Sequence, residues 1–199
     1  MTHAINHSLN TAECTNENIK IAFAQNLVTA TSNLSALQFV QREMLEKTAG
    51  IVQSFLPFLI ESNNKIKKIT DVSYVMSQNF QSVLSATNTE YTIDYSKLLI
   101  SQGNLPRGMV AIARPAPGGI AFSWLKIASH KTDKTIFVVY CEALNVCVYN
   151  IAGARRSDLG AILEVPQLSG YEVHTWLSFL SEDETHLAPS VYTGAVIIP

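Results

Sequence analysis

The stretch 171-YEVHTWLSFLSEDETHLAPSVYTG-194 decides how the second half of this chain is read. Its first residues alternate, with Tyr171, Val173, Thr175 and Leu177 on one side and Glu172, His174 and Trp176 on the other. A strand points successive side chains to opposite faces, so this is the pattern of a strand. The acidic run 181-SEDETHLAP-189 interrupts it with turn-forming residues, and 190-SVYTGAVII-198 resumes the alternation. The stretch therefore predicts two strands joined by a solvent loop, the last hairpin of a β structure.

Working back from that hairpin, five more short strands are expected at 109-MVAIA-113, 120-IAFSWLKI-127, 135-TIFVVYCE-142, 146-VCVYNI-151 and 160-GAILEV-165. Seven strands separated by turn residues, with no helical period among them, argue for two packed sheets rather than an α/β unit. Ile120, Phe122 and Trp124 share one side, which places the indole of Trp124 in the core. Tyr171 follows 168-LSG-170 at the start of the longest strand, where immunoglobulin-like sandwiches carry a corner tyrosine. The order of these segments resembles a fibronectin type III or similar immunoglobulin-like module.

Upstream the period changes. Leu34, Leu37, Gln41, Met44/Leu45, Thr48, Ile51/Val52, Phe55 and Leu59 recur at three-and-four spacing, one apolar stripe of a helix. Ser32 and Asn33 are suitable N-caps, and Pro57 is expected to kink or end the helix because it lacks an N–H. A polar turn, 61-ESNNK-65, is predicted to lead into a second helix with the stripe Ile66, Ile69, Val72/Ser73, Met76, Phe80 and Val83/Leu84. Ile19, Ile21 and Phe23 fit a strand or a helix about equally. In 91-YTIDYSKLLI-100, Tyr91, Ile93 and Tyr95 share one face, predicting a strand. Four glycines and three prolines in 101-SQGNLPRGMVAIARPAPGG-119 mark a linker. The fold class expected is thus α+β: a helical and strand region over 1–107, then a seven-stranded immunoglobulin-like β-sandwich over 108–199. The apolar stripes must be buried against the sandwich or between subunits.

Charged residues make up 15% of the 199, well below the usual quarter, which favours contact with neighbours over free solubility. Net charge is −2, and only 65-KIKK-68 and Arg155-Arg156 cluster basic residues. A surface that tracks phosphates needs a basic stripe, so nucleic-acid binding is not expected. The beginning, MTHAINHSLNTAECTNENIK, has no basic segment followed by an apolar one, so no secretory signal is expected, and no apolar run is long enough to span a bilayer.

No catalytic constellation emerges. There is no G-x-S-x-G elbow, no phosphate cradle and no nominated carboxylate pair, so neither catalysis nor a cofactor is expected. His3 and His7 stand four apart but lack the intervening ligands of a metal helix. Glu182, Asp183, Glu184 and His186 offer cation ligands without the spacing of a calcium loop, and solvated polarity is the preferred reading. Asp94, between Tyr91 and Tyr95, is read as solvent-facing. Two interaction candidates remain. An exposed His174 beside Trp176 could form a recognition patch, or be ordinary surface. Arg155 and Arg156, with Asp158 nearby, could clamp a partner's carboxylates, order their own loop, or pair with Asp158 in water. Cys141 and Cys147 flank 142-EALNV-146; in a hairpin centred on Leu144 they would face each other and could form a disulfide, though two buried thiols is the preferred reading.

The runs EYTIDYSKLLISQGNLP (90–106), IAFSW (120–124), IFVVYCEALNVCVYNIAGARR (136–156) and the opening stretch together resemble an uncharacterised family of Bacteroidota proteins, a domain of unknown function. The similarity covers about residues 35–194 and is strongest from 90 onward. It brings no catalytic residues. It implies proteins encoded in many copies and in mobile or prophage-like contexts, hence a structural or surface role. Typical members begin with a glycine- and arginine-rich arm, whereas residues 1–26 here contain neither glycine nor arginine. The expectation is a non-enzymatic structural or assembly protein with protein partners, self-association among them, as a subunit of a phage-derived or extracellular particle. The alternative is a surface module that binds a protein or glycan.

Overall fold

The structure is a computed structural model and describes residues 36–65, 84–86 and 91–199. The readings at His3, His7, Ile19–Phe23 and the second helical stripe up to Val83 lie outside the described residues. Helix α1 spans Ala36–Lys65. The strands are β1 (Leu84–Ala86), β2 (Tyr91–Ile93), β3 (Ile112–Ala116), β4 (Gly119–Ser123), β5 (Lys134–Cys141), β6 (Val146–Asn150), β7 (Gly160–Glu164), β8 (Glu172–Leu180) and β9 (Val191–Ile197). All ladders are antiparallel, in a β1-β2 pair, a three-stranded sheet β3-β4-β7 and a four-stranded sheet β6-β5-β8-β9.

The three- and four-stranded sheets face each other across one core. Ile120, Phe122 and Trp124 meet Phe137, Val139, Cys141, Val173, Leu177 and Phe179 there. Trp124 is buried as its alternation requires, and its indole N–H donates to the Arg156 carbonyl at 2.8 Å. A second core lies on the other side of the four-stranded sheet. Ile51, Phe55, Phe58 and Leu59 of α1 cover Ile136, Val138, Tyr140, Trp176 and Leu180, with Tyr95, Leu98 and Ile100 filling in. The result is three layers, sheet on sheet on helix. Strand β5 feeds both cores, which is why 135-TIFVVYC-141 is a continuous apolar run instead of an alternating one.

Several expectations are corrected. Helix α1 does not end at Pro57, one of the two outcomes expected there, and runs on through the supposed turn at 61–65. Pro57 is exposed, so the carbonyl of Gln53 that loses its bond also lies on the wet side, while Phe55, Phe58 and Leu59 hold the helix down. Ser62 is buried and bonds back to the Leu59 carbonyl at 3.0 Å, so the polar run is helix. The predicted strand over 91–100 stops after Ile93, because Asp94 accepts from the Ser96 N–H at 3.1 Å and starts a single 3₁₀ turn, Tyr95–Lys97. The first sandwich strand begins at Ile112 rather than 109; Val110 takes φ 48°, which belongs to a turn. Within the supposed linker, Pro117 and Gly118 make a tight turn between β3 and β4, with Gly118 at φ 65°. Pro115 is tolerated because β3 is an edge strand.

Candidate functional site

The first nominated patch is not a surface. Trp176 has no exposed area; its ring meets Phe55 edge-on at 5.8 Å and its N–H donates to the Leu98 carbonyl at 3.0 Å. His174 stacks on Tyr95 with centroids 3.8 Å apart, and its Nδ1 lies 2.9 Å from the Tyr192 hydroxyl. Burial pulls the imidazole below its ordinary pKa, against the opposing pull of Glu142 and Glu172. The alternation was read correctly, but α1 and the segment 95–100 cover the face that carries these residues. Tyr171 in turn is 38% exposed, so it is no corner tyrosine.

The arginine pair divides. Arg156 is only 2% exposed, with its guanidinium 3.9 Å above the Phe179 ring, Nη1 3.5 Å from Asp133 Oδ2 and Nη2 donating to the Arg107 carbonyl at 2.9 Å. Its partner is thus Asp133, not Asp158. Asp158 instead accepts from the Arg155 backbone N–H at 2.9 Å, which orders the loop. Burial lowers the pKa of Arg156 and raises that of Asp133, each only partly countered by the other charge, with His130 also holding Asp133 down. The Arg156 Nε–H is buried with no partner.

The cysteines do not pair. The β5–β6 register sets Cys141 opposite Val146 and Cys147 opposite Tyr140, one residue away from the expected alignment. Cys141 therefore points into the core between the sheets and Cys147 toward the helix, and both are free thiols. Burial pushes the Cys147 thiol up, away from thiolate chemistry.

The acidic loop satisfies itself. Asp183 accepts from the Ser181 hydroxyl and from the Thr185 hydroxyl at 2.8 Å, and these bonds bring its carboxyl down to about 2. Lys134 Nζ lies 2.6 Å from Glu184. Among the described residues no grouping of His, Cys, Asp and Glu is suited to a metal. Asp94 caps its turn and pairs with Lys97 at 3.0 Å.

Alternation singled out no residue on the outer face of the three-stranded sheet, yet none of the described elements covers it. The register aligns Arg114, Ala121 and Ile162 across that face, with Ile112 and Ser123 on one side and Glu164 on the other. Ile162 is 61% exposed and Ile112 39%, around a centre of small residues. Met109 and Leu125 extend the apolar area, tied together by the Leu125 N–H donating to the Met109 carbonyl at 3.0 Å. Arg114 and Glu164 are exposed and have no ion-pair partner among the described residues. The isoleucine in 160-GAILE-164 was the available signal, since its neighbour Leu163 already fills the core.

A family model described as "Family of unknown function (DUF6266)" matches residues 37–194. No curated protein and no solved structure matches the chain.

Proposed function

We propose, on the premise that this chain belongs to the family of unknown function DUF6266, that it is a non-enzymatic assembly protein whose three-stranded sheet docks on a second copy of itself. The strand orders β3-β4-β7 and β6-β5-β8-β9, with Trp124 between the sheets, support an immunoglobulin or fibronectin type III-like module as the display unit. Among the described residues one sheet is covered by α1 and no element covers the other. The resemblance to Bacteroidota proteins from prophage-like contexts fits a protein used in many copies within a particle.

The observation that carries the reading is the uncovered face with its two unpaired, opposite charges on opposite edge strands. Large apolar side chains beside small ones invite a partner surface. A two-fold axis lying in the contact plane along β4 sets β3 of one copy over β7 of the other. Arg114 then stands above Ile162, two residues from Glu164, and the same pairing recurs on the other side of the axis. A second copy is thus complementary in shape and charge. Burial of Trp176 deprives the glycan-binding alternative of its platform.

Sedimentation velocity over a wide concentration range tests this. Dimer is expected to grow with concentration in the parent, to vanish in Arg114→Glu, and to return in Arg114→Glu/Glu164→Arg. A parent that stays monomeric throughout would sink the proposal.

A further inference from the structure

At the end of the molecule where β4 exits and β5 enters, a cavity of about 170 Å³ is lined by Lys126, Ile127, Lys131, Arg156 and Ser157. Its walls come from two loops: the β4–β5 connection brings Lys126 and Lys131, and the β6–β7 connection brings Arg156. That convergence is notable in a chain with 14 basic residues among 199. Lys126 and Lys131 have no ion-pair partner among the described residues. Arg156 has a partner in Asp133, but at 3.5 Å, and its Nε–H remains a buried donor without an acceptor. A buried donor left unmet is costly, so this one calls for an explanation.

The backbone holds the arrangement in place. The Ser157 N–H donates to the Lys131 carbonyl at 3.1 Å and the Arg156 N–H to the Asp133 carbonyl at 2.8 Å. The two loops are therefore laced together, and Lys131 springs from a fixed origin. Two carboxylates stand by this lacing, both engaged: Asp133 is shared between Arg156 and His130, whose Nδ1 lies 3.7 Å away, and Asp158 accepts from the Arg155 N–H at 2.9 Å and from the Ser157 hydroxyl at 3.4 Å.

We infer that this cavity is a binding site for a small tetrahedral oxyanion of the phosphate or sulfate class. Three cations brought together from two loops match an acceptor that presents oxygens on every side, whereas one planar carboxylate would meet a single arginine fork. Size sets the class. At about 30 Å³ per water the space equals roughly six waters, enough for one oxyanion with part of its hydration shell. It is too small for a nucleotide, since pockets for larger ligands start at about 300 Å³. The site uses none of Ile112, Arg114, Ile162 or Glu164, so it stands or falls independently of self-association.

The test is a titration of the full chain with inorganic phosphate, and separately with sulfate, against sodium chloride at matched ionic strength, followed by amide chemical shifts and melting temperature. Saturable shifts confined to residues 126–131 and 155–158, with a rise in melting temperature that chloride does not give, are expected. Lys126→Gln/Lys131→Gln alters only exposed side chains, so it should fold as the parent does and bind at least tenfold more weakly. Equal responses to chloride, shifts that never saturate, or a double variant that binds like the parent would each overturn the site. Amide shifts that saturate equally on the three-stranded sheet would also overturn it, by placing the anion elsewhere.

Discussion

Arg156 and Asp133 show what a single buried charge does to this fold. The guanidinium is enclosed by Phe179 and the Arg107 carbonyl, and the Trp124 indole hangs from the Arg156 backbone. Removing one member of a buried pair leaves the other charge stranded, so Arg156→Ala is expected to destabilise the protein by about 3 kcal/mol in denaturant unfolding. Arg156→Met with Asp133→Leu should recover most of that loss, because no stranded charge remains. The residue scale also carries a pH effect. His174 has a folded pKa below its ordinary 6.5 because it is buried. As pH falls below about 6.5 the unfolded chain takes up a proton that the folded chain resists, so the stability tied to a neutral His174 is complete above that pH and lost beneath it. His174→Gln should flatten the stability profile below about pH 6.5, read from denaturation midpoints. Asp183 acts lower: its contribution is full above 3.8 and fades as pH falls toward its folded value of about 2. At this scale the sequence was legible where alternation governs, as at Trp124. It was silent on which of two adjacent arginines is buried, because that depends on Asp133, 23 residues earlier in the chain, and on the twist of the loop between them.

At the scale of elements, α1 is held by one face. Phe55 touches both Tyr140 and Trp176, Lys47 Nζ meets Glu142 at 2.8 Å, and the Tyr149 hydroxyl donates to Glu61 at 2.9 Å. Phe55→Ala should cost about 3–5 kcal/mol and loosen the helix in preference to the sheets. Hydrogen exchange would show it: amides of α1 should lose protection while those of β5 retain it, and uniform loss across both would contradict separate layers. Periodicity revealed the helical stripe from Thr48 to Leu59, since 3.6-residue spacing is a local property. It did not reveal that the stripe passes Pro57, because that depends on which side of the helix the proline faces. Nor did it give the face covered. The outer side of β8 carries His174 and Trp176 beside Glu172, a mixed pattern that reads as surface until the helix is placed over it. The β5–β6 register escaped for a similar reason. A turn one residue off exchanges the faces of every side chain beyond it, and that separates Cys141 from Cys147.

At the scale of the molecule, the three layers of described residues leave one side uncovered. The open face is three strands of five residues, about 14 by 17 Å at ordinary strand spacing and rise. Even with its flanking loops it falls well short of the roughly 800 Å² per partner of a standard interface. The expected dimer is therefore weak and concentration-dependent, and Ile162→Glu should shift its midpoint at least tenfold upward with little change in monomer stability. Seven strands and their two-sheet grouping could be read from turn spacing and alternation. The openness of one sheet could not, because it follows from where α1 settles, and nothing local to β3, β4 or β7 records that.

The centre of the four-stranded sheet has a consequence for biosynthesis. Helix α1 leaves the ribosome before any of the described strands, yet the aromatic floor it rests on is finished only when β8, near residue 180, has been added beside β5. Until then its greasy stripe has nowhere to go, a situation that invites chaperone engagement on the nascent chain. Stalled chains ending before Glu172 should thus be cut readily by protease within α1, and chains extended past Pro199 by enough linker to clear the exit tunnel should resist.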